Sequence, residues 1–189
     1  MYEVELKVRA DHDRVRARLA DVGATDAGGV SQVDTYYDAP HRDFATTDEA
    51  LRLRRETPVD GEDDAPETVT KLTYKGPLVE TESKTRREHE TVVLDDDAAE
   101  GILAGLGFEP AATVEKHRRF FRYGGYTVTL DRVDGLGEFV EVETEAEAVE
   151  AAREGAVEVL EELGLDPDDQ IRTSYLGLLL AADGPADAR

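Results

Sequence analysis

The sequence predicts an α+β protein, a barrel-like sheet of about eight antiparallel strands with a few helices packed outside it. Three observations carry that expectation. Period-two alternation recurs in short segments along the whole chain. Glycine pairs at Gly124-Gly125 and Gly135/Gly137 mark tight turns between such segments. Helical spacing is confined to four stretches, and no repeat or long linker interrupts the pattern.

The first strand is expected over Tyr2 to Ala10. Asp11 then caps a helix through Val22, with Val15, Leu19 and Val22 on one face and Gly23 ending it. Gly28-Gly29 precedes a strand from Val30 to Asp38, which Ala39-Pro40 stops. Another strand runs from Ala50 to Glu56. The acidic segment from Pro58 to Pro66 is a loop, and strands follow at Glu67–Lys75 and Lys84–Leu94. Asp95-Asp96-Asp97 opens a short helix that ends near Gly105 or Gly107, with its acids at the favourable N-terminal end. Val114–Arg122 and Tyr126–Val133 form a hairpin, and Glu138–Thr144 is the next strand. An Ala/Glu-rich helix covers Glu145 to Leu163 and a last one Arg172 to Ala182. Residues 1–183 are expected to form one domain, with 184–189 a loose tail.

Composition narrows the function. The net charge of −22 opposes general nucleic-acid binding, because a duplex would be repelled over most of the surface. The longest apolar runs fall far short of the ~20 residues of a membrane span. Met1 leads directly into a strand pattern without a signal-peptide leader, so the expected address is the cytoplasm. With no cysteine there are no disulfides or thiolate metal sites, and the four histidines have no zinc-type spacing. Such an excess of acid suggests a protein adapted to high salt, where screening tolerates the repulsion.

Within the strands, charges fall at every second position. The segments are Glu3-Val4-Glu5-Leu6-Lys7, Arg52-Leu53-Arg54, Lys71 to Lys75, Arg86 to Glu90, Lys116-His117-Arg118, Thr129-Leu130-Asp131 and Glu141-Val142-Glu143. Side chains at i and i+2 share one strand face, roughly 6.5–7 Å apart. Taken singly, each segment reads as a solvated face. Together they carry both signs, and lysine is nearly absent elsewhere: four of only five lysines (Lys7, Lys71, Lys75, Lys116) lie in them. Inward-facing carboxylates repel unless a hard cation neutralises them, and inward arginines and lysines need an anion. A phosphate chain with its metal ion satisfies both.

These segments resemble the CYTH, or triphosphate-tunnel, superfamily, whose hallmark Glu-x-Glu-x-Lys is present as Glu3 to Lys7. Asp34-Thr35-Tyr36-Tyr37, Ala50 to Arg54, Leu72 to Pro77, Arg86 with Glu88 and Glu90, Lys116 to Arg118, and Leu130-Asp131 through Glu143 look like the class IV adenylyl cyclase branch, in the expected order. The resemblance implies a closed eight-stranded antiparallel tunnel that binds a triphosphate. It implies Mg²⁺ or Mn²⁺ on Glu3, Glu5, Asp131, Glu141 and Glu143, with Glu88 and Glu90 assisting. Phosphate oxygens would be clamped by Lys7, Arg52, Arg54, Lys71, Lys75, Arg86, Lys116 and Arg118. Arg55, Arg87 and Arg119 have the opposite parity and are expected to face outward. The family often forms dimers, so a homodimer is compatible with it. Cyclases of this branch carry a short His-Phe segment before the first strand, where this chain has Met1-Tyr2.

Two reactions use such a cage. In a cyclase, the ribose 3′ hydroxyl of ATP attacks the α-phosphorus, giving cyclic AMP and pyrophosphate. In a triphosphatase, water attacks the terminal phosphorus of an organic triphosphate, such as thiamine triphosphate, or of tripolyphosphate. Lys7 is the candidate general base in either, a role that requires it to be neutral. A third reading is a carrier that binds a phosphorylated metabolite without turnover, to which the acidic set would contribute nothing.

Overall fold

Alternation along β1 (Tyr2–Arg9) buries both of its faces: Val4, Leu6 and Val8 point one way, and Glu5 and Lys7 the other. The computed structural model describes residues 1–60, 66–79 and 83–183. After β1 come α1 (His12–Asp21), β2 (Thr25–Asp38), the single turn α2 (Phe44–Thr47), β3 (Ala50–Pro58), β4 (Val69–Lys75) and β5 (Glu88–Val93). They are followed by α3 (Asp96–Gly105), β6 (Glu109–Tyr123), β7 (Tyr126–Val133), β8 (Gly137–Ala146), α4 (Val149–Glu162), a 3₁₀ turn (Pro167–Asp169) and α5 (Tyr175–Asp183).

The eight strands form one curled sheet in the order β1-β8-β7-β6-β2-β3-β4-β5, and every neighbouring pair is antiparallel. Its two outermost strands are not joined by a continuous ladder. The stretch just before β5 instead reaches β1, where the Glu3 amide donates to the Arg86 carbonyl (3.1 Å) and the Lys84 amide to the Glu5 carbonyl (3.3 Å).

The outer face of the sheet carries two of the three cores, including the largest. Leu6, Val8, Val128, Leu130, Val140 and Val142 pack under α1 and α4, against Val15, Leu19, Val159 and Leu160. Leu51, Leu53 and Leu72 pack with Leu103 of α3. A third cluster lies on the inner face, where Tyr36, Val114, Val133 and Phe139 meet Tyr175 of α5. Most apolar strand residues thus face outward, and apart from this inner cluster the inward face is left to charged side chains.

The turn chemistry is as read. Gly124 (φ +58°) and Gly125 (φ +86°) both lie in the left-handed region, as a two-residue hairpin of this type requires. Asp11 and Asp95 cap α1 and α3 through bonds from the Arg14 and Ala98 amides.

Several boundaries differ from expectation. β2 starts at Thr25, because pairing with β6 continues across a register shift between Asp26 and Gly29. β6 starts at Glu109, ahead of the alternating stretch, because β2 pairs with it there. The expected strand from Lys84 divides, its first residues turning to β1 and Glu88–Val93 staying on β4. β8 runs to Ala146, opposite Tyr2, so α4 begins only at Val149. α5 begins at Tyr175, with the Ser174 hydroxyl accepting from the Gly177 amide. α2, capped by Asp43, is too short to leave a periodic signal. Residues 61–65 of the expected loop and the tail 184–189 lie outside the described residues. Among the described residues, no helix is long and apolar enough to cross a membrane.

Candidate functional site

The inward rows of all these strands except β7 meet in a cavity of about 270 Å³ inside the curl. Nine basic and nine acidic side chains line it, so the lining is near neutral in a chain of net charge −22. All five lysines are among them. Every expected phosphate-binding residue lines this cavity, namely Lys7, Arg52, Arg54, Lys71, Lys75, Arg86, Lys116 and Arg118. So do six of the seven expected metal ligands: Glu3, Glu5, Glu88, Glu90, Glu141 and Glu143.

Asp131 does not. It is wholly buried behind Arg118, which grips it with two nitrogens, and Lys116 lies 3.5 Å away. Strand parity aims Asp131 inward as expected, but the longer Arg118 side chain covers it. Asp34 has the same relation to Arg54, whose Nε and one terminal nitrogen each donate at 2.6 Å, and to Arg52. Both aspartates aim guanidinium groups that open onto the cavity. Arg52 and Arg54 hold the Asp34 carboxyl well below the usual range although burial works against them. Arg55 and Arg119 face outward, pairing with Asp96 and Glu100 and with Asp26 and Asp60. Arg87 lies over the Tyr2 ring instead of lining the cavity.

The acids divide into two groups. Glu141 is pinned by Arg118 and faces Lys7 at 3.7 Å; burial would raise its carboxyl, but Arg118, Lys7 and Lys116 hold it far below normal. Glu3, Glu5 and Glu143 form the second group, with one oxygen from each within 4.8 Å of the others. Burial, opposed by Arg118, and the crowding of Glu141, Glu3 and Glu5 push the Glu143 carboxyl up to about 7. Three converging carboxylates, one of them unwilling to ionise alone, fit a hard divalent cation with oxygen ligands.

The fold has counterparts. Residues 1–175 match the CYTH domain family. The chain belongs to that family. A Methanocaldococcus jannaschii protein, provisionally named an adenylate cyclase, is 35% identical over 94% of this chain and 98% of its own. The adenylate cyclase CyaB of Aeromonas hydrophila is 27% identical over 75% of this chain and 68% of its own. Among solved structures, the PH1819 protein of Pyrococcus horikoshii superposes with a TM-score of 0.85 at 37% identity, over 95% of this chain and 99% of its own. A Hippeastrum protein described as having a dominant triphosphatase activity shares the fold alone, with a TM-score of 0.65 and 16% identity over 97% of this chain and 95% of its own.

Beyond the expected set, this CYTH cavity recruits side chains that sequence reasoning missed. Lys84 lies on the inner wall, and burial together with Lys7 and Arg86, against the pull of Glu5, brings its ammonium down to about 8. It sits in the segment that leaves β4 for β1, outside the regular alternation that exposed the other four lysines. Burial and Arg118, opposed by Asp131, place Lys116 also at about 8. Glu56 bonds Gln32 (2.6 Å) and Lys71 (3.4 Å). Tyr175 stands between two cations, its ring 4.4 Å from the Lys7 ammonium and 5.1 Å from that of Lys116. Its buried hydroxyl is directed at Glu141 and helps to hold that carboxyl down. The Nε atoms of Arg52 and Arg86 are buried and unmatched.

Proposed function

We propose that this CYTH protein is a metal-dependent enzyme acting on a triphosphate, and that it is adenylyl cyclase-like, converting ATP to cyclic AMP and pyrophosphate. The observation that carries this is the mixed-charge cavity. Arg52, Arg54, Lys75, Arg86, Lys116 and Arg118 would grip phosphate oxygens, with Lys7, Lys71 and Lys84 beside them. Adding a polyanion to a lining already near neutral leaves excess negative charge, which a divalent cation would offset. Glu3, Glu5 and Glu143 would hold Mg²⁺ or Mn²⁺, which when bound supplies charge neutralisation and polarises a phosphoryl oxygen. In this reading the sheet and the Lys84–Arg86 stretch together wall a closed tunnel around the phosphate chain.

Phosphoryl transfer asks chiefly for positioning and charge stabilisation, and preorganised guanidinium groups provide both. Asp34 and Asp131 would keep those groups aimed before substrate arrives. With the phosphates fixed, the ribose 3′ hydroxyl is left to attack the α-phosphorus and pyrophosphate departs. With ammonium groups brought down to about 8, Lys84 and Lys116 would be neutral near neutral pH in a larger fraction than an ordinary lysine, which makes them candidates for the proton role alongside Lys7.

Hydrolysis is the second reading. Water would replace the ribose hydroxyl at the terminal phosphorus, with the same cage. The adenylate cyclase names of the relatives favour cyclization, and the activity described for the Hippeastrum protein keeps hydrolysis in view. Incubation with ATP, thiamine triphosphate and tripolyphosphate, with Mg²⁺ or Mn²⁺ in low and molar salt, separates them when products are resolved chromatographically. Cyclic AMP with pyrophosphate is the expected result. Free orthophosphate alone would transfer the assignment to the triphosphatase.

A further inference from the structure

A groove of about 500 Å³ lies between α1 and the turn that follows α4, and it shares no lining residue with the charged cavity. Three arginines, Arg9, Arg14 and Arg18, line it against a single acid, Asp11. The chain as a whole has the opposite balance, with 44 acidic residues to 22 lysines and arginines. Arg14 and Arg18 stand four apart on α1 and so share a face, a spacing at which like charges destabilise a helix.

None of the three guanidinium groups has an ion pair among the described residues. Arg9 is fixed without a carboxylate: one terminal nitrogen donates to the Leu136 carbonyl (2.7 Å), and the group lies 4.4 Å from the centre of the Phe139 ring. Arg18 is held in a similar way by the Glu162 carbonyl (3.2 Å), at the C-terminal end of α4. Each such bond uses one of five N–H donors, so most of the fork stays open. Neighbouring acids in the chain are committed to other donors. Asp11 accepts from the Arg14 amide, Glu162 from the Tyr123 hydroxyl and Asp166 from the Asp168 amide. Between the arginines the wall is apolar, made by Ala10, Val15, Ala17, Leu163 and Leu165.

We propose that this groove is a second binding site, for a small phosphate monoester with an apolar body. Three arginines and one aspartate leave two positive charges, which match a phosphoryl dianion more closely than a carboxylate. Planar guanidinium forks would take its oxygens in pairs, and the apolar wall would cover its organic part. The groove's volume falls within the roughly 300–1,000 Å³ typical of small-molecule sites. Nothing in it depends on the reaction in the charged cavity.

Amide NMR of the isotope-labelled protein, with phenyl phosphate, benzoate and inorganic phosphate as probes, tests the site. Phenyl phosphate should shift the amides of Ala10, Ala17, Gly164 and Leu165 along one saturation curve. Benzoate, with one charge, and inorganic phosphate, without a ring, should each bind there at least fivefold more weakly. Arg14→Gln with Arg18→Gln, a pair of exposed changes that spare folding, should weaken phenyl phosphate in the groove at least tenfold. Shifts confined to amides around the charged cavity, or a groove affinity unchanged in the double variant, would overturn the site. Benzoate binding there as tightly as phenyl phosphate would overturn the phosphoryl assignment.

Discussion

Glu143 is where the site's charge balance is most delicate. Its carboxyl titrates near 7, well above an isolated glutamate, because burial and three neighbouring glutamates outweigh Arg118. A divalent cation binds the ionised form, so metal affinity should rise as pH goes from 6 to 8, and Mn²⁺ titration across that range measures it. In the metal-free protein the raised value works the other way. Stability from this group is present below the ordinary carboxyl range and is lost as pH rises through about 7. Tyr175 offers a second residue-scale test. Tyr175→Phe keeps the ring between Lys7 and Lys116 and removes only a buried hydroxyl that reaches Glu141, so denaturant unfolding of the metal-free protein should change by no more than about 1 kcal/mol. Tyr175→Leu, which loses the ring as well, should be destabilised.

At the scale of elements, each strand divides its work by parity. In β1 the even residues build the core under α1 and α4, and the odd ones furnish Glu3, Glu5 and Lys7. That division was legible in the sequence, because period-two alternation with charge of both signs survives without coordinates. What lay below it was not. Parity put Asp131 on the inner face but could not tell that Arg118 would lie over it. Asp34 was visible as a motif residue, yet its place under Arg54 depends on the register of β2 against β3. Lys84 was missed because its segment bridges two strands irregularly, and Tyr175 because it reads as one more apolar residue of α5 in the inner cluster. Two variants test the division. Glu5→Gln should cut metal-dependent turnover at least 100-fold with unchanged thermal unfolding. Asp131→Asn should cost about 3 kcal/mol of stability, read by denaturant unfolding, because it strips the buried Arg118 of its main partner.

For the whole molecule, the contrast is between the cavity and the chain. A near-neutral lining sits inside a protein of net charge −22, and all five lysines lie in that lining beside Arg52, Arg54, Arg86 and Arg118. Self-repulsion of the remaining acids opposes the folded state, and screening relieves it: the Debye length falls from about 30 Å at 0.01 M to about 3 Å at 1 M salt. The melting temperature should therefore rise between dilute buffer and molar KCl, and a fall would remove the proposed adaptation to salt. Inside, the two signs of charge are paired with one another, and the proposed function adds an anion and its metal between them. Water-proton relaxation with Mn²⁺ reads that assembly directly. Protein, Mn²⁺ and tripolyphosphate together should give an enhancement unlike that of either binary pair, and Glu5→Gln should abolish it; Mn²⁺ that remains with free tripolyphosphate when wild-type protein is added would contradict the account.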